Sequence, residues 1–243
     1  MLQDNQDESV RKFFEDVGQT VALDQVSYTP RAPFYMEIQY RVLASALRRA
    51  IRQWVTRDSV VLDIGCGHGE LLRPLAKNYR IYGVDLSVGL LRAAKARGFR
   101  VCQCNATALP FAADQFDTVI CAEVLQHFPD LQPLLSELAR VCRSGGALIV
   151  STLNKRSLLR AIFDLFSRRS RLASFDLPIM RRTAQDVCDA ARSSGWLLRG
   201  ACWVLSPTPL TAYARPPAPI WERLATNHVL YFTKEPRSGG SRK

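Results

Sequence analysis

The residues best suited to chemistry form a glycine-rich stretch that follows a short apolar run. The run begins at Val60 and ends in Asp63, and glycines then occupy positions 65, 67 and 69. Glycine is needed where the backbone turns sharply and where a ligand lies against it with no Cβ between them. This succession of strand, turn and helix start predicts a loop that binds a nucleotide-containing cofactor.

Acidic residues beside the glycines indicate which cofactor the loop binds. A dinucleotide-binding loop needs a small residue at position 70, where helix and strand pack closely, and the sequence has Glu70 there. Asp63 would also repel a pyrophosphate, whereas the sulfonium and ammonium groups of S-adenosylmethionine are cationic. Asp85, at the end of the next predicted strand, can accept hydrogen bonds from the ribose hydroxyls of either cofactor. The sequence therefore favours S-adenosylmethionine.

Further motifs follow the loop in a fixed order. They are Tyr82-Gly83-Val84-Asp85-Leu86-Ser87, Asn105 to Phe111 with Phe116-Asp117, Glu123-Val124-Leu125-Gln126-His127, Arg143-Ser144-Gly145-Gly146 and Ser151-Thr152-Leu153-Asn154. Together with the run from Val60 to Glu70, these motifs make residues 55–155 resemble the class I methyltransferases. The resemblance is closest to the branch that includes the ubiquinone and menaquinone biosynthetic methyltransferases. It is specific for the class and much less specific for the substrate.

The resemblance implies a set of cofactor-binding residues. They are Asp63, Gly65, Cys66 and Gly67 in the loop, Asp85 and Leu86 after the second strand, and Asn105 and Ala106 after the third. The loop residues would hold the methionine end, Asp85 the ribose, and Asn105 with Ala106 the adenine. The family usually has Asp where this chain has Asn105, but an amide oxygen can still accept from the adenine amino group.

The candidate catalytic residues are Glu123 and His127, which follow the fourth predicted strand. Of the three histidines, His127 lies where the methyl group and the acceptor are expected to meet. A histidine of near-neutral pKa can take the proton of an oxygen nucleophile, and the alternative is a structural histidine. Some relatives bind a divalent metal through Glu-x-x-Glu-His at this place. Here Gln126 replaces the second Glu, and because an amide is a poor metal ligand we expect no metal.

A basic segment follows the fifth predicted strand. The chain has a net charge of +11, and eight of its basic residues lie between Lys155 and Arg182. Leucine, isoleucine and phenylalanine residues over 158–166 add an apolar face, so the segment could lie on an anionic membrane. The resemblance to quinone O-methyltransferases implies the same contact. The alternatives are a roof over the active site and a solvated surface. Nucleic acid is disfavoured because the patch lacks interleaved aromatic residues.

The elements that position these residues alternate between strands and helices. Apolar, β-branched runs predict strands at 59–64, 80–85, 99–104, 116–122 and 147–152, with helices at 70–78, 88–97 and 131–143 between them. Thr183 and Asp186 match a capping box and predict a further helix, after which final strands cover 196–205 and 228–233. The expected fold class is α/β, with a Rossmann-like, seven-stranded, mostly parallel sheet, helices on both faces and an antiparallel C-terminal strand.

Composition and spacing predict three regions along the chain. Residues 1–55 form an N-terminal helical cap, with one amphipathic helix at 34–55, and residues 56–235 form the methyltransferase domain. Within that domain, 155–182 is the basic amphipathic insertion. Residues 206–222 are a proline-rich lid loop, in which five prolines should bar regular structure. Residues 236–243 are expected to be a disordered tail.

The remaining features indicate a cytoplasmic protein, peripheral to the membrane if its substrate is lipophilic. No apolar run reaches the ~20 residues that span a bilayer, no signal peptide is recognisable, and the seven scattered cysteines suit reduced thiols. The expected function is methylation of a small molecule, as O-methylation of a hydroxylated aromatic, quinol-like or lipid-linked acceptor. The alternatives are an RNA methyltransferase, which only the net charge supports, and a non-catalytic cofactor-binding protein.

Overall fold

Eight strands are interspersed with helices along the described part of the chain. The structure is a computed structural model that describes residues 8–15, 34–71, 73–162, 179–205, 210–213 and 223–236. The strands are β1 (Val60–Ile64), β2 (Arg80–Asp85), β3 (Arg100–Gln103), β4 (Phe116–Ala122), β5 (Cys142–Leu153), β6 (Trp196–Leu205), β7 (Leu210–Tyr213) and β8 (Asn227–Lys234). The helices include α1 (8–15), α2 (Phe34–Trp54), α3 (Val88–Ala96), α4 (Gln132–Val141), α5 (158–162) and α6 (Ala184–Ser193), with a 3-10 turn at Leu125–His127.

The strands form one mixed sheet in the order β3-β2-β1-β4-β5-β8-β6-β7. The first five strands of that order are parallel, and β8 runs antiparallel between β5 and β6. This arrangement confirms the predicted fold, including the antiparallel C-terminal strand. The prediction that prolines bar regular structure from 206–222 was wrong at β7, because Leu210–Tyr213 lies between Pro209 and Pro216 and contains no proline. β7 pairs with β6 as an eighth strand.

Two hydrophobic clusters cover the two faces of the sheet. On one face, Leu62 and Leu148 pack with buried residues of α4 and α6. On the other face, their chain neighbours Val61 and Ile149 pack with buried residues of α2. Alternate residues of a strand point to opposite faces, so the central strands β1 and β5 contribute to both clusters. Burial of an apolar side chain of this size contributes roughly 2 kcal/mol to the free energy of folding. The helices lie on both faces of the sheet, as predicted.

The connection from β1 to β2 differs from the helix predicted over 70–78. Its described residues form consecutive turns, in which Arg73 N donates to Gly69 O at 3.0 Å and Asn78 N donates to Leu75 O at 2.9 Å. Pro74 explains the difference, because proline has no N–H to donate and its ring collides with the carbonyl four residues earlier. Leu75 is nevertheless buried, so the apolar positions of the pattern still pack on the sheet.

The capping box predicted at Thr183 is confirmed. Asp186 N donates to Thr183 Oγ1 at 3.1 Å, and Thr183 N donates to Asp186 Oδ2 at 2.8 Å. The hydrogen bond from the Thr183 backbone lowers the pKa of Asp186. These reciprocal bonds satisfy amide groups that a helix start otherwise leaves unpaired, and they fix where α6 begins.

No helix within the described ranges is long and apolar enough to cross a membrane. All seven cysteines are free thiols. Burial raises the pKa of the Cys66 and Cys121 thiols, so both side chains stay protonated and pack as small apolar residues.

A buried lysine fixes the end of β8. Lys234 is 8% exposed, and its Nζ donates to Asp114 Oδ1 at 2.9 Å and to Cys142 O at 2.6 Å. Lys234 therefore joins the C-terminal strand to the loop before β4 and to the start of β5.

Lys234→Met should lower the free energy of unfolding by about 2 kcal/mol, because the Cys142 carbonyl and the Asp114 carboxylate lose their charged donor. Urea denaturation followed by circular dichroism measures the change. Lys77→Met replaces an exposed lysine and should change the same quantity by less than about 0.5 kcal/mol. Equal losses in the two variants would contradict the structural role of Lys234.

Candidate functional site

The glycine loop leaves β1 with its backbone in the left-handed region. The φ angle is 67° at Gly65 and 53° at Gly67, a conformation that residues with a Cβ adopt only at a cost. A Cβ on Gly65 would lie 2.4 Å from Val124 Cγ2. On the other side, Cys66 N donates to Val84 O at 3.0 Å. The loop is therefore held between the end of β2 and the segment that follows β4.

Asp85 ties the loop to the end of β2. Gly67 N donates to Asp85 Oδ2 at 2.8 Å, and Ser87 N donates to Asp85 Oδ1 at 2.9 Å. A carboxylate has about four acceptor positions, so each oxygen keeps capacity for a further donor such as a ribose hydroxyl. The residue predicted to hold the ribose thus also sets the conformation of the loop.

Asp63 and Asp85 are desolvated acids beside the loop. Asp63 is 2% exposed, and burial raises its pKa well above the ordinary value, with the Asp85 carboxylate adding to the rise. Burial also raises the pKa of Asp85, although amide hydrogen bonds from Ser87 and Gly67 oppose the rise. Asp63, a buried acid next to a glycine cradle and a second carboxylate, is poorly compensated without a cation. Asp63 and Asp85 fit the cationic groups of S-adenosylmethionine.

The residues predicted on the adenine side lie at the same edge of the sheet. Asn105 Oδ1 accepts from Thr107 N and lies 3.0 Å from both Thr107 N and Thr107 Oγ1. Leu86 and Ala106 are half-buried, and Gln103 Nε2 donates to Leu86 O at 2.9 Å. The side-chain oxygen of Asn105 thus already accepts hydrogen bonds from its own turn. It keeps less acceptor capacity for an adenine amino group than the sequence suggested.

Two charged residues of α4 clamp the loop that follows Asn105. Glu137 Oε1 accepts from Leu109 N at 2.7 Å. Arg140 Nη1 donates to Phe111 O at 2.8 Å, and its Nη2 donates to Leu109 O at 3.0 Å. Glu137 and Arg140 are themselves paired at 2.8 Å. The backbone of this loop is therefore fixed by α4.

Helix α1 packs onto the start of α3. Glu15 Oε2 accepts from Gly89 N at 3.3 Å, and Ser87 Oγ lies 3.1 Å from both Glu15 Oε2 and Phe14 O. The Phe14 ring meets the His127 ring edge to face, with centroids 5.6 Å apart. α1 thus bridges the start of α3 and the turn that follows β4.

Glu123 has a strained backbone conformation at the end of β4. Its φ is 57°, which is uncommon for a residue with a side chain. Ser151 Oγ accepts from Glu123 N at 3.0 Å and donates to Glu123 Oε1 at 2.8 Å. Asn227 Nδ2 donates to the same oxygen at 3.2 Å. Burial raises the pKa of Glu123, although hydrogen bonds from Ser151, Asn227 and Gln126 oppose the rise. Observed strain of this kind clusters at functional sites.

His127 ends the 3-10 turn in a half-buried position. Burial lowers its pKa to about 4, so the imidazole is neutral at physiological pH. The sequence suggested a histidine with a pKa near neutrality. Because the pKa of His127 is lower, its imidazole is a weaker base than the sequence suggested.

Arg182 holds the turn that carries His127. Its Nη1 donates to Leu125 O at 2.8 Å, and its Nη2 donates to Phe128 O and, at 3.0 Å, to Pro129 O. Arg182 was predicted as part of the basic surface of the insertion. In the structure its guanidinium is half-buried and faces the protein, because these carbonyls need donors.

The sequence did not identify Phe14, Glu15, Ser151, Asn227 or Arg182 as site residues. For Ser151 and Asn227 a signal exists, since both are polar residues near the ends of apolar strands, where ligands of α/β sheets bind. No comparable signal marks α1. Within the described residues, no group of three or more His, Cys, Asp or Glu side chains is placed to hold a metal ion.

Known proteins resemble this chain in sequence over its central region. Residues 62–150 match the family model described as Methyltransferase domain. The ubiquinone biosynthesis O-methyltransferase of Coxiella burnetii is 37% identical over 114 residues, which cover 43% of this chain and 48% of the relative. The chain spans about half the length of the curated relatives it matches.

Solved structures share the fold over most of the chain. A SAM-dependent methyltransferase of Thermotoga maritima has a TM-score of 0.66 at 20% identity, covering 82% of this chain and 95% of its own. The magnesium protoporphyrin IX methyltransferase of Synechocystis PCC 6803, solved with bound SAH, has a TM-score of 0.65 at 17% identity. That likeness covers 95% of this chain and 100% of the other. At these identities the likeness establishes the fold.

Residues 62–150 therefore carry the match to the class I methyltransferases, and S-adenosylmethionine is the cofactor of the matched family. The matched region contains the glycine loop, Asp85, Asn105 and the segment from Glu123 to His127. The class and the cofactor predicted from the sequence are confirmed.

Binding of S-adenosylmethionine should release protons in mildly acidic solution. The pKa values of Asp63 and Asp85 are raised in the free protein. In acidic solution, a larger fraction of the molecules therefore carries these carboxyl groups protonated than ordinary aspartates would allow. A bound cation favours the ionised form and lowers both pKa values. The affinity should therefore increase with pH through the raised pKa range and then level off. Calorimetry in two buffers of different ionisation enthalpy measures the protons released.

Asp63→Asn should reduce this proton release, whereas Asp189→Asn, at an exposed acid of α6, should leave it unchanged. Net proton uptake on binding would show that these carboxyls do not face the cationic groups.

Proposed function

We propose that this protein transfers the methyl group of S-adenosylmethionine to an oxygen of a small hydroxylated aromatic, quinol-like or lipid-linked acceptor. The observation that carries the proposal is the close approach of Val124 to the cofactor loop, where a Cβ on Gly65 would lie 2.4 Å from Val124 Cγ2. Glu123 and His127 therefore border the groups that can hold the cofactor. The name of the relative from Coxiella burnetii supports oxygen as the acceptor atom.

The chain contributes alignment and exclusion of water. S-adenosylmethionine supplies an already activated methyl group, so positioning of the acceptor can provide much of the rate, up to roughly 7–11 kcal/mol of the barrier. α1 covers this edge of the sheet through Phe14 and Glu15. Arg182 fixes the turn that carries His127. These contacts provide the rigid surroundings that alignment requires.

We assign His127 the contact with the acceptor hydroxyl and Glu123 the positioning of the turn. Neutral imidazole can accept a hydrogen bond from a hydroxyl as its proton leaves. The Glu123 carboxyl, proposed from the sequence as catalytic, is instead engaged by Ser151 and Asn227. Its fixed network supports the strained backbone from which the turn begins.

Incubation with methyl-labelled S-adenosylmethionine and separate pools of hydroxylated aromatics, extracted lipids and total RNA tests the proposal. Label should enter the aromatic or the lipid pool. Asp85→Ala should abolish transfer and Asp189→Asn should retain it. Label in RNA would instead identify an RNA methyltransferase, and cofactor binding with no transfer to any pool would identify a non-catalytic binding protein.

With the acceptor so identified, His127→Asn should lower kcat/KM by at least ~10-fold while the KM for S-adenosylmethionine changes little. A base must be unprotonated, so at saturating S-adenosylmethionine the wild-type rate should increase with pH through about 4 and then stay level. The variant should lack this acidic limb. Identical pH profiles would show that His127 takes no proton.

The insertion supports a separate proposal of peripheral contact with an anionic membrane. Leu158 and Ile162 lie one helical turn apart in α5 and are 51% and 52% exposed. Lys155 and Arg156, just before them, are also exposed. Exposed apolar side chains beside cations are typical of interfacial helices. The predicted apolar residues 163–166 lie outside the described residues.

Leu158→Ser combined with Ile162→Ser should abolish sedimentation with phosphatidylserine vesicles at low salt, and Lys155→Gln with Arg156→Gln should weaken it, because apolar burial and charge act together. Arg49→Gln with Arg52→Gln, at exposed positions of α2, controls for net charge and should have no effect. If the Lys155/Arg156 variant and the Arg49/Arg52 variant lose vesicle binding equally, the overall charge alone attracts the protein to the membrane.

A further inference from the structure

Three polar side chains form a buried row across β5, β8 and β6. Thr152 pairs with His228 between β5 and β8, and His228 pairs with Trp203 between β8 and β6. Paired residues of neighbouring strands point to the same face of a sheet, so these side chains lie side by side. The rings of Trp203 and His228 meet edge to face, with centroids 6.0 Å apart.

The polar atoms of this row have no hydrogen-bond partner among the described residues. Thr152 and His228 are 0% exposed and Trp203 is 7% exposed, yet Thr152 Oγ1, both ring nitrogens of His228 and Trp203 Nε1 are unpaired. Trp196, also in β6, shows the usual arrangement, since its Nε1 donates to Leu135 O at 3.1 Å. Buried polar groups are nearly always paired because an unpaired one destabilises the fold. Four unpaired atoms in one place therefore indicate a ligand.

The row lies at the same strand ends as the network that holds Glu123 but on the opposite face of the sheet, because successive residues of a strand point to opposite faces. Thr152 directly follows Ser151 near the carboxyl end of β5, and His228 directly follows Asn227 at the start of β8. The carboxyl ends of parallel strands are where open α/β sheets bind ligands. Burial lowers the pKa of His228 to about 4, so the three side chains of the row carry no charge at physiological pH.

We propose that Thr152, His228 and Trp203 bind a neutral oxygen function, a hydroxyl or a carbonyl, of the methyl acceptor at a point away from the reacting oxygen. This assignment rests on the methyl transfer proposed above. Trp203 Nε1 and the protonated ring nitrogen of His228 donate to such an oxygen, and a hydroxyl can donate its single proton either to Thr152 Oγ1 or to the other ring nitrogen of His228. A carboxylate or phosphate would find no cation in the row, and an ammonium group would find no anion.

Nuclear magnetic resonance tests the row directly, because the chain has three histidines and four tryptophans. Protein labelled with ¹⁵N in both residue types and saturated with S-adenosylhomocysteine is titrated with phenol, and in parallel with toluene as an apolar probe of the same shape. His228→Phe and Trp203→Phe assign the resonances. Phenol should shift the His228 ring nitrogens and Trp203 Nε1 and leave Trp196 Nε1 in place, and toluene should shift none of them. No shift up to the solubility limit of phenol would overturn the proposal.

Substitutions separate a ligand site from a structural role. Trp203→Phe and Trp196→Phe remove the same indole volume from β6, but Trp196→Phe also removes a hydrogen bond and should lower Tm more. Trp203→Phe should weaken phenol binding by about tenfold, which corresponds to 1.4 kcal/mol. Thr152→Val, of the same shape as threonine, should keep or raise Tm and also weaken phenol binding.

If bound water pairs with these polar atoms instead, Thr152→Val should lower Tm and phenol should shift no resonance. Calorimetry of S-adenosylhomocysteine binding keeps this failure distinct from failure of the proposed function. Normal cofactor binding with an unresponsive row overturns the acceptor subsite alone. Absence of cofactor binding in the wild-type protein overturns the methyl transfer on which the subsite rests.

Discussion

The hydrogen bonds from Gly67 N and Ser87 N to the Asp85 carboxylate hold the functional edge together. One side chain thereby fixes the cofactor loop, the end of β2 and the start of α3. Ser87 extends this constraint to α1 through its contact with Glu15, and Phe14 carries it on to His127. Hydrogen bonds to an ionised acceptor are roughly twice as strong as neutral ones. Loss of Asp85 would therefore displace the loop and the covering helix as well as remove the predicted ribose contact.

Several groups at this edge cost stability when no ligand is bound. Asp63 is a buried acid with a raised pKa, Glu123 has a left-handed backbone, and the row formed by Thr152, His228 and Trp203 is unpaired. Each such feature costs about 1–3 kcal/mol. Fully paired contacts elsewhere, such as those of Lys234, offset part of that cost. Ligands that pair these groups should stabilise the folded protein, since binding to the native state alone shifts the folding equilibrium.

The sheet was predictable because buried parallel strands are apolar, β-branched runs, and β2 and β4 lie at their predicted bounds. Prediction failed where backbone chemistry overrode the pattern, at Pro74 within the expected helix and at the proline-free strand β7. The cofactor-binding residues stay a prediction, which could be made because each lies in a contiguous motif at a strand end. The partners of Glu123 could not be predicted, because they lie 28 residues away at Ser151 and 104 residues away at Asn227. No local pattern contains such distant contacts.

The contact between Gly65 and Val124 divides the carboxyl edge of the sheet into two chemically different halves. The half formed by β1 and β2 carries the acids Asp63 and Asp85, and the half formed by β5, β8 and β6 carries uncharged polar side chains. If the acceptor binds as proposed, charge distinguishes the cationic cofactor from the neutral acceptor. Because the two halves use different strands, the proposed acceptor site predicts that substitutions along β5, β8 and β6 can change the preferred acceptor without altering the acids beside the loop. This separation is consistent with a fold that persists at 17–20% identity while its sites diverge.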